Sequence, residues 1–377
     1  MKAGVGFSER TGAENAVRDA FERAEAGSGH PALSFVFTTD AYEPTAVWQT
    51  LKEVAGDAPF VGFQCGGVLT GEGVLERGIG VATISGELEV ATALGTGLDV
   101  DPWSAGQRAG QSLVQRGPGS GLVVVLPDSF PSGIYEVTRS LYGPMGPDFR
   151  YAGGASGDSL KFLRTCQFTE ASVEQNAVAV AVVGGCEVGT AIGHGWQPHG
   201  EPLVITQAQG KRVLQIDGRP AFQVYCEHLG IEIPRESFRR YFMVNPFGFA
   251  DISGNYLIRD VRAVNDDDSL DFVTEMPANA VAVLMRGEVA DLVETAADVA
   301  ARATAEVRSP ALALVFDCEG RYLLMGDAFR QELRALSSGV GVDVPFLGAL
   351  SFGEIGSFKD VPLFHNKTVA VAVLGTA

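Results

Sequence analysis

The sequence predicts an α/β fold of repeated strand–helix–strand–helix–strand units forming two mixed-sheet domains. Three observations carry that expectation. Short apolar runs alternate with segments whose apolar residues recur at helical spacing. An aromatic residue, a small or aliphatic one and a glycine recur at one place in that order, as Phe60-Val61-Gly62, Tyr151-Ala152-Gly153 and Phe346-Leu347-Gly348. Each of these glycine elements precedes a further apolar strand, at 78–84, 176–183 and 368–374, which reads as an internal repeat. The chain has 377 residues, more than the roughly 250–300 at which a single core stops growing.

In the first unit, residues 3–7 read as a strand, and 12–26 place Ala16, Val17, Ala20, Phe21 and Ala24 at helical spacing. A buried strand follows at 33–37. The helix at 43–55 begins with Pro44, whose missing N–H costs nothing in a first turn. The second unit runs strand 88–94, helix 103–115, strand 122–126 (ended by Pro127-Asp128) and helix 132–141. The third runs strand 280–285, an alanine-rich helix 289–307, strand 312–316 and helix 327–336.

Between the second and third units, 196–276 has a different pattern. Residues 203–207 and 212–216 alternate across Ala208-Gln209-Gly210-Lys211 as a hairpin, 221–229 reads as a helix, and 241–244 and 256–264 read as strands. A boundary in the glycine- and histidine-rich stretch 193–200 divides the chain into 1–195, with two units, and 196–377, with the hairpin region and the third. Asn265-Asp266-Asp267-Asp268 lacks the bend glycine and downstream glutamate of a calcium loop, so it reads as a solvated turn.

Composition narrows the partners. A net charge of −18 opposes nucleic acid, whose binding depends on Lys and Arg neutralising phosphates, and opposes an anionic membrane surface. The N-terminus lacks the apolar core of a signal peptide. The most apolar window, 177–185, is stopped by Glu187, short of the ~20 residues of a span. The five cysteines are scattered, with no C-x-x-C pair, which argues against a disulfide framework and a zinc site. A cytoplasmic protein fits these features.

The motifs of phosphate loops, dinucleotide folds and metalloproteases are absent, and Gly154-Ala155-Ser156-Gly157 falls one residue short of a nucleophile elbow. Weaker candidates remain. Thr38-Thr39-Asp40, Asp128 and Asp317-Cys318-Glu319-Gly320-Arg321 follow the buried strand of each unit, where open α/β sheets bind ligands. Asp158, Lys161, Arg164 and Glu354 follow glycine elements; an arginine there, or Arg321, suits a carboxylate or phosphate. Cys318 lies between two acids and Cys65 in a glycine turn, settings that favour an inert thiol over a nucleophile. His365 precedes the last strand, as a turn residue or, alternatively, a metal or haem ligand.

Taken together, these stretches resemble the FIST family (F-box and intracellular signal transduction), with its N- and C-terminal halves in tandem from about 33 to 374. The residues that carry the resemblance are Gly254-Asn255-Tyr256-Leu257-Ile258-Arg259, Ala282-Val283-Leu284-Met285-Arg286-Gly287, Phe316-Asp317-Cys318-Glu319-Gly320-Arg321, Gly353-Glu354-Ile355 and Phe364-His365-Asn366-Lys367-Thr368. Phe60-Val61-Gly62 and Gly154-Ala155-Ser156-Gly157-Asp158 match more loosely, and Ala349-Leu350-Ser351-Phe352 departs from the aromatic residues usual after the glycine. The resemblance implies a sensory module for a small ligand such as an amino acid. With no attached signalling domain in the sequence, it also implies output through a separate protein.

The expected site combines Cys65, Gly154, Ser156, Asp158, Arg164, Asp317, Cys318, Arg321, Gly353, Glu354 and His365. In it Arg321 pairs an anionic group, Glu354 or Asp158 takes an amine, and the Gly154 and Gly353 N–H groups donate. No cofactor and no catalysis are expected. The alternatives are a haem-dependent nitric-oxide sensor, with His194, His199, His228 or His365 as proximal ligand, and a cysteine-dependent enzyme using Cys318.

Overall fold

The computed structural model describes residues 1–131, 133–251, 254–357 and 361–377. Its described strands form four sheets, three of which share one order of pairing. The first runs Lys2–Ser8, Ile79–Ser85, Leu33–Thr38, Phe60–Gln64; the second Glu89–Thr96, Ala177–Gly184, Gly121–Pro127, Phe149–Gly154; the third Cys186–Gly193, Val369–Thr376, Pro310–Cys318, Phe346–Ser351. In each, only the third and fourth strands named are parallel, joined by a crossover helix, so the sheets are mixed.

Each sheet is completed by a hairpin borrowed from another unit. Gln167–Thr169 and Val173–Glu174, from the second unit, extend the first sheet. Glu354–Gly356 and Leu363–His365, from the third, extend the second. Gly67–Thr70 and Gly73–Leu75, from the first, extend the third. The exchange closes a ring.

Strand periodicity explains how the ring packs. Successive side chains point to opposite faces. Val178, Val180 and Val182 meet Ala105, Ala109 and Leu113 of the helix Pro102–Arg116, whereas Ala179, Ala181 and Val183 turn into a central core shared by all three sheets. Val369, Val371 and Val373 likewise face the helix Val289–Ala305, and Ala370, Ala372 and Leu374 face the centre. With both faces covered, the strands read as unbroken apolar runs. Alanine on the inner face lets the three sheets approach closely.

The sequence expectations meet this structure with several differences. The strand Ala280–Arg286 does not open the third unit: it pairs with Gln197–Gln209 in the fourth sheet, and Cys186–Gly193 takes the opening place beside Val369–Thr376. The third sheet therefore draws strands from both sides of residue 195. Residues 241–244 are not a strand but part of the helix Phe238–Val244, in which Phe238 and Phe242 lie one turn apart with ring centroids at 5.4 Å. The stretch 256–264 is two strands, Tyr256–Arg259 and Val261–Val264, parted at Asp260. The expected helix at 132–141 is Ile134–Met145; Ser132 lies outside the described residues. An additional short helix, Glu319–Met325, turns the chain after Cys318.

The inserted region has its own core of Leu203, Ile205, Tyr225, Phe242, Phe247 and Phe272. In its aspartate-rich turn, Asp267 accepts from the Ser269 N–H and hydroxyl, and Asp268 pairs with Arg235.

Candidate functional site

The three glycine elements meet where the sheets join. Gly66 N–H donates to the Leu350 carbonyl (3.0 Å), Gly157 N–H to Gln64 (3.1 Å), Phe352 N–H to Ala155 (3.0 Å) and Ala155 N–H to Gly353 (2.8 Å). The approach is close enough to need glycine. A Cβ at Gly157 would lie 2.8 Å from the Phe352 ring, and one at Gly353, whose φ is +118°, 2.1 Å from the Phe364 ring. Two polar regions flank this junction.

The outer region is an open groove of about 300 Å³, lined by Asp40, Tyr42, Gln64, Asp158, Lys161 and Arg164, with Pro44 and Leu163. It lies at the carboxyl ends of the parallel strands Leu33–Thr38 and Phe60–Gln64, where such sheets gather ligand-binding groups. Its far wall is the loop that follows the second glycine element. Asp158, 2% exposed, accepts there from the Phe162, Leu163 and Arg164 N–H groups at 2.9, 2.7 and 3.3 Å. That anchoring holds Ser159, Leu160 and Phe162 at φ of 53°, 62° and 54°, a left-handed conformation that side chains resist. Lys161 pairs with Asp40 across the groove. Among the described residues, neither the Arg164 guanidinium nor the Gln64 amide has a hydrogen-bond partner, so both remain available to a ligand.

The inner region is buried. Arg321, with no exposed side chain, donates to Glu332, to the His194 and Leu292 carbonyls, and lies 3.1 Å from Asp317. Glu354 accepts from Ser351 Oγ (2.8 Å), Thr368 Oγ1 (2.7 Å) and Thr368 N–H (3.1 Å). Burial pushes its carboxyl up to about 8 against those hydrogen bonds. Burial raises Asp317 as well, reinforced by Glu332. Lys367 pairs with Asp260 of the inserted region (3.1 Å), and the Trp196 ring has Arg321 and Lys367 near it, at 5.8 and 5.9 Å.

The expected site residues thus separate. Asp158 and Arg164 line the groove. Cys65 and Ser156 are buried beside the junction, Cys65 donating to the Gly67 carbonyl and Ser156 Oγ joined to Thr165 Oγ1 at 2.6 Å. Gly154 is paired in register with Glu354, a Cβ on it would meet Ser351 at 2.8 Å, and neither it nor Gly353 lines the groove. Arg321 is committed to Glu332 and backbone carbonyls, which leaves it no fork for an incoming anion. Glu354 is buried with its oxygens already engaged, and Asp158 spends its carboxylate on the loop, so neither faces an amine.

Burial lifts the Cys65 and Cys318 thiols well above their ordinary range. His194 accepts from Trp196 N–H, and burial holds it down at about 4; His365 is held down to about 3 by burial and Arg259. His199 is exposed on a strand, and His228 Nδ1 lies 3.0 Å from the Val224 carbonyl. Asp40, Tyr42 and Gln64, which complete the groove, belong to another unit from Arg164. Only Asp40 had a sequence signal, its place after a buried strand.

A model of the FIST N domain matches residues 32–219, and one of the FIST C domain matches 221–357. The chain belongs to the FIST family. FIST domains are sensory, small-ligand-binding domains of signalling proteins. An uncharacterised protein of Methanocaldococcus jannaschii is 28% identical over 248 residues, 59% of this chain and 48% of that one, so the matched region spans about half of that relative's length. An uncharacterised Mycobacterium tuberculosis protein is 23% identical over 99% of each chain. Among solved structures, a cyanuric acid hydrolase covers 100% of this FIST chain and 99% of its own at 9% identity and a TM-score of 0.39. PurLQS of Thermotoga maritima reaches a TM-score of 0.24 at 10% identity, over 100% of this chain and 72% of its own. Neither likeness carries an argument.

Proposed function

We propose that this FIST protein is a cytoplasmic sensor that binds a free amino acid, or a metabolite of similar size and charge, in the outer groove and signals through a separate protein. One observation carries the reading: the unpartnered Arg164 guanidinium and Gln64 amide face the Asp40 carboxylate across about 300 Å³. Arg164 offers the planar fork that a carboxylate takes bidentately. Asp40 offers an acceptor to the ammonium, and Gln64 supplies both donor and acceptor beneath them. No chemical step is assigned to the site; the buried thiols and the committed Arg321 and Glu354 support a binding role.

A thermal-shift screen of amino acids and small carboxylates tests this. Ligand at 100 times its dissociation constant adds about 2.7 kcal/mol to stability. Arg164→Ala, on an exposed loop, is expected to keep the unliganded melting temperature and lose the ligand-induced rise. No shift with any compound, or equal shifts in wild type and variant, overturns the reading.

A further inference from the structure

One polar side chain of the groove has no bond to make inside the protein. The strand Phe60–Gln64 turns Val61 and Phe63 into the central core and Phe60 toward the helices. By the same alternation Gln64 ends the helix-side face, a polar residue on a wholly buried strand. Its backbone is fixed on both sides: the Gln64 N–H donates to the Cys166 carbonyl (2.9 Å), and its carbonyl accepts from the Gly157 N–H (3.1 Å). The residue is 5% exposed and lines the groove, and its amide has no hydrogen-bond partner among the described residues.

The neighbouring polar groups have other work. Tyr42 donates its hydroxyl to the Arg10 carbonyl (2.9 Å), Asp158 holds the loop, and Lys161 takes one oxygen of Asp40. With the ligand's carboxylate on Arg164 and its ammonium on Asp40, the part left for Gln64 to meet is the ligand's side chain. A bound ligand displaces water from this amide, which is costly unless the ligand supplies both a donor and an acceptor. A primary carboxamide sets the two side by side at the spacing of the Gln64 amide, and pairs with it through two reciprocal bonds. A carboxylate of the same shape satisfies the N–H and opposes the oxygen; an apolar chain satisfies neither.

We propose that Gln64 reads the ligand's side chain, and that the ligand is an amino acid ending in a primary carboxamide, glutamine or asparagine. This rests on the groove as the binding site and on Arg164 as its carboxylate fork, and adds what tells one amino acid from another.

Calorimetry on the full chain with L-glutamine, L-asparagine, L-glutamate and L-norleucine tests it, because glutamate keeps the shape without the amide donor and norleucine lacks both polar groups. Wild type is expected to bind one of the two amides about tenfold or more tighter than glutamate and norleucine. Gln64→Met, which keeps the length and removes the amide, is expected to erase that preference and to keep the unliganded melting temperature, since no bond inside the protein is lost. The wild-type comparison stands even if the variant fails to fold. A preference that survives in folded Gln64→Met overturns the role of Gln64. Norleucine bound as well as the amides, or glutamate bound tightest, overturns the carboxamide ligand while leaving the groove reading intact. Binding of none of the four, with another amino acid active in the thermal screen, does the same. The absence of any amino-acid response in that screen removes the groove reading as well.

Discussion

Glu354 has its chemistry decided by burial. Its carboxyl holds a proton up to about pH 8 in the folded chain, against an ordinary value near 4.5. Over that interval the folded state binds more protons than the unfolded state, so stability falls as pH rises from about 4.5 to about 8 and levels beyond it. Glu319, pushed up to about 7 by burial and by Asp158 and Asp40, adds the same sign over the lower part of the window. Denaturant unfolding across this range is expected to show the decline, and Glu354→Gln to flatten it by up to about 1.4 kcal/mol per pH unit. A slope unchanged in the variant sinks this account. The sequence picked out Glu354 by its place after Gly353. It gave no sign that Ser351 and Thr368 enclose it, or that Arg321 finds Glu332 eleven positions on, because such pairings depend on where distant strands and helices come to lie.

At the scale of elements, the order of strands and helices within each unit was legible from apolar periodicity, since each element buries a regular face. What periodicity leaves open is which strands pair. Ala280–Arg286 and Cys186–Gly193 are both apolar strands, and only the sheet they join tells them apart. The glycine elements are a clearer signal, because close backbone approach leaves a residue type behind. At Gly353 a side chain meets both a left-handed φ and the Phe364 ring. Gly353→Ala is expected to cost about 2 kcal/mol or more, read as a lower urea midpoint. A loss under 0.5 kcal/mol would place no weight on this junction. The groove was half legible: Asp158 and Arg164 fall in one loop, whereas Gln64 and Asp40 reach it from another unit.

For the whole molecule, the exchange of hairpins matters more than any one sheet. A fragment of residues 1–195 retains Gly67–Thr70 and Gly73–Leu75 without the strand Phe346–Ser351 that they pair with, and it leaves the edge of Phe149–Gly154 open. It also forfeits Leu312, Leu314, Phe316, Ala370, Ala372 and Leu374 from the central core. Unpaired edges and a missing third of the core favour association over folding. The fragment is expected to lack near-ultraviolet circular dichroism and a cooperative melt, and a sharp two-state transition in it would show that the ring is dispensable. The same exchange sets a clock on biosynthesis. Leu69 finds its partner Gly348 only after roughly 280 further residues have been made. At roughly 5–20 residues per second, the early hairpin waits on the order of tens of seconds on the ribosome with its edge exposed. A nascent chain of this protein therefore completes its first sheet once the hairpin Gln167–Thr169 and Val173–Glu174 has emerged, and holds the second and third sheets open until the third unit follows.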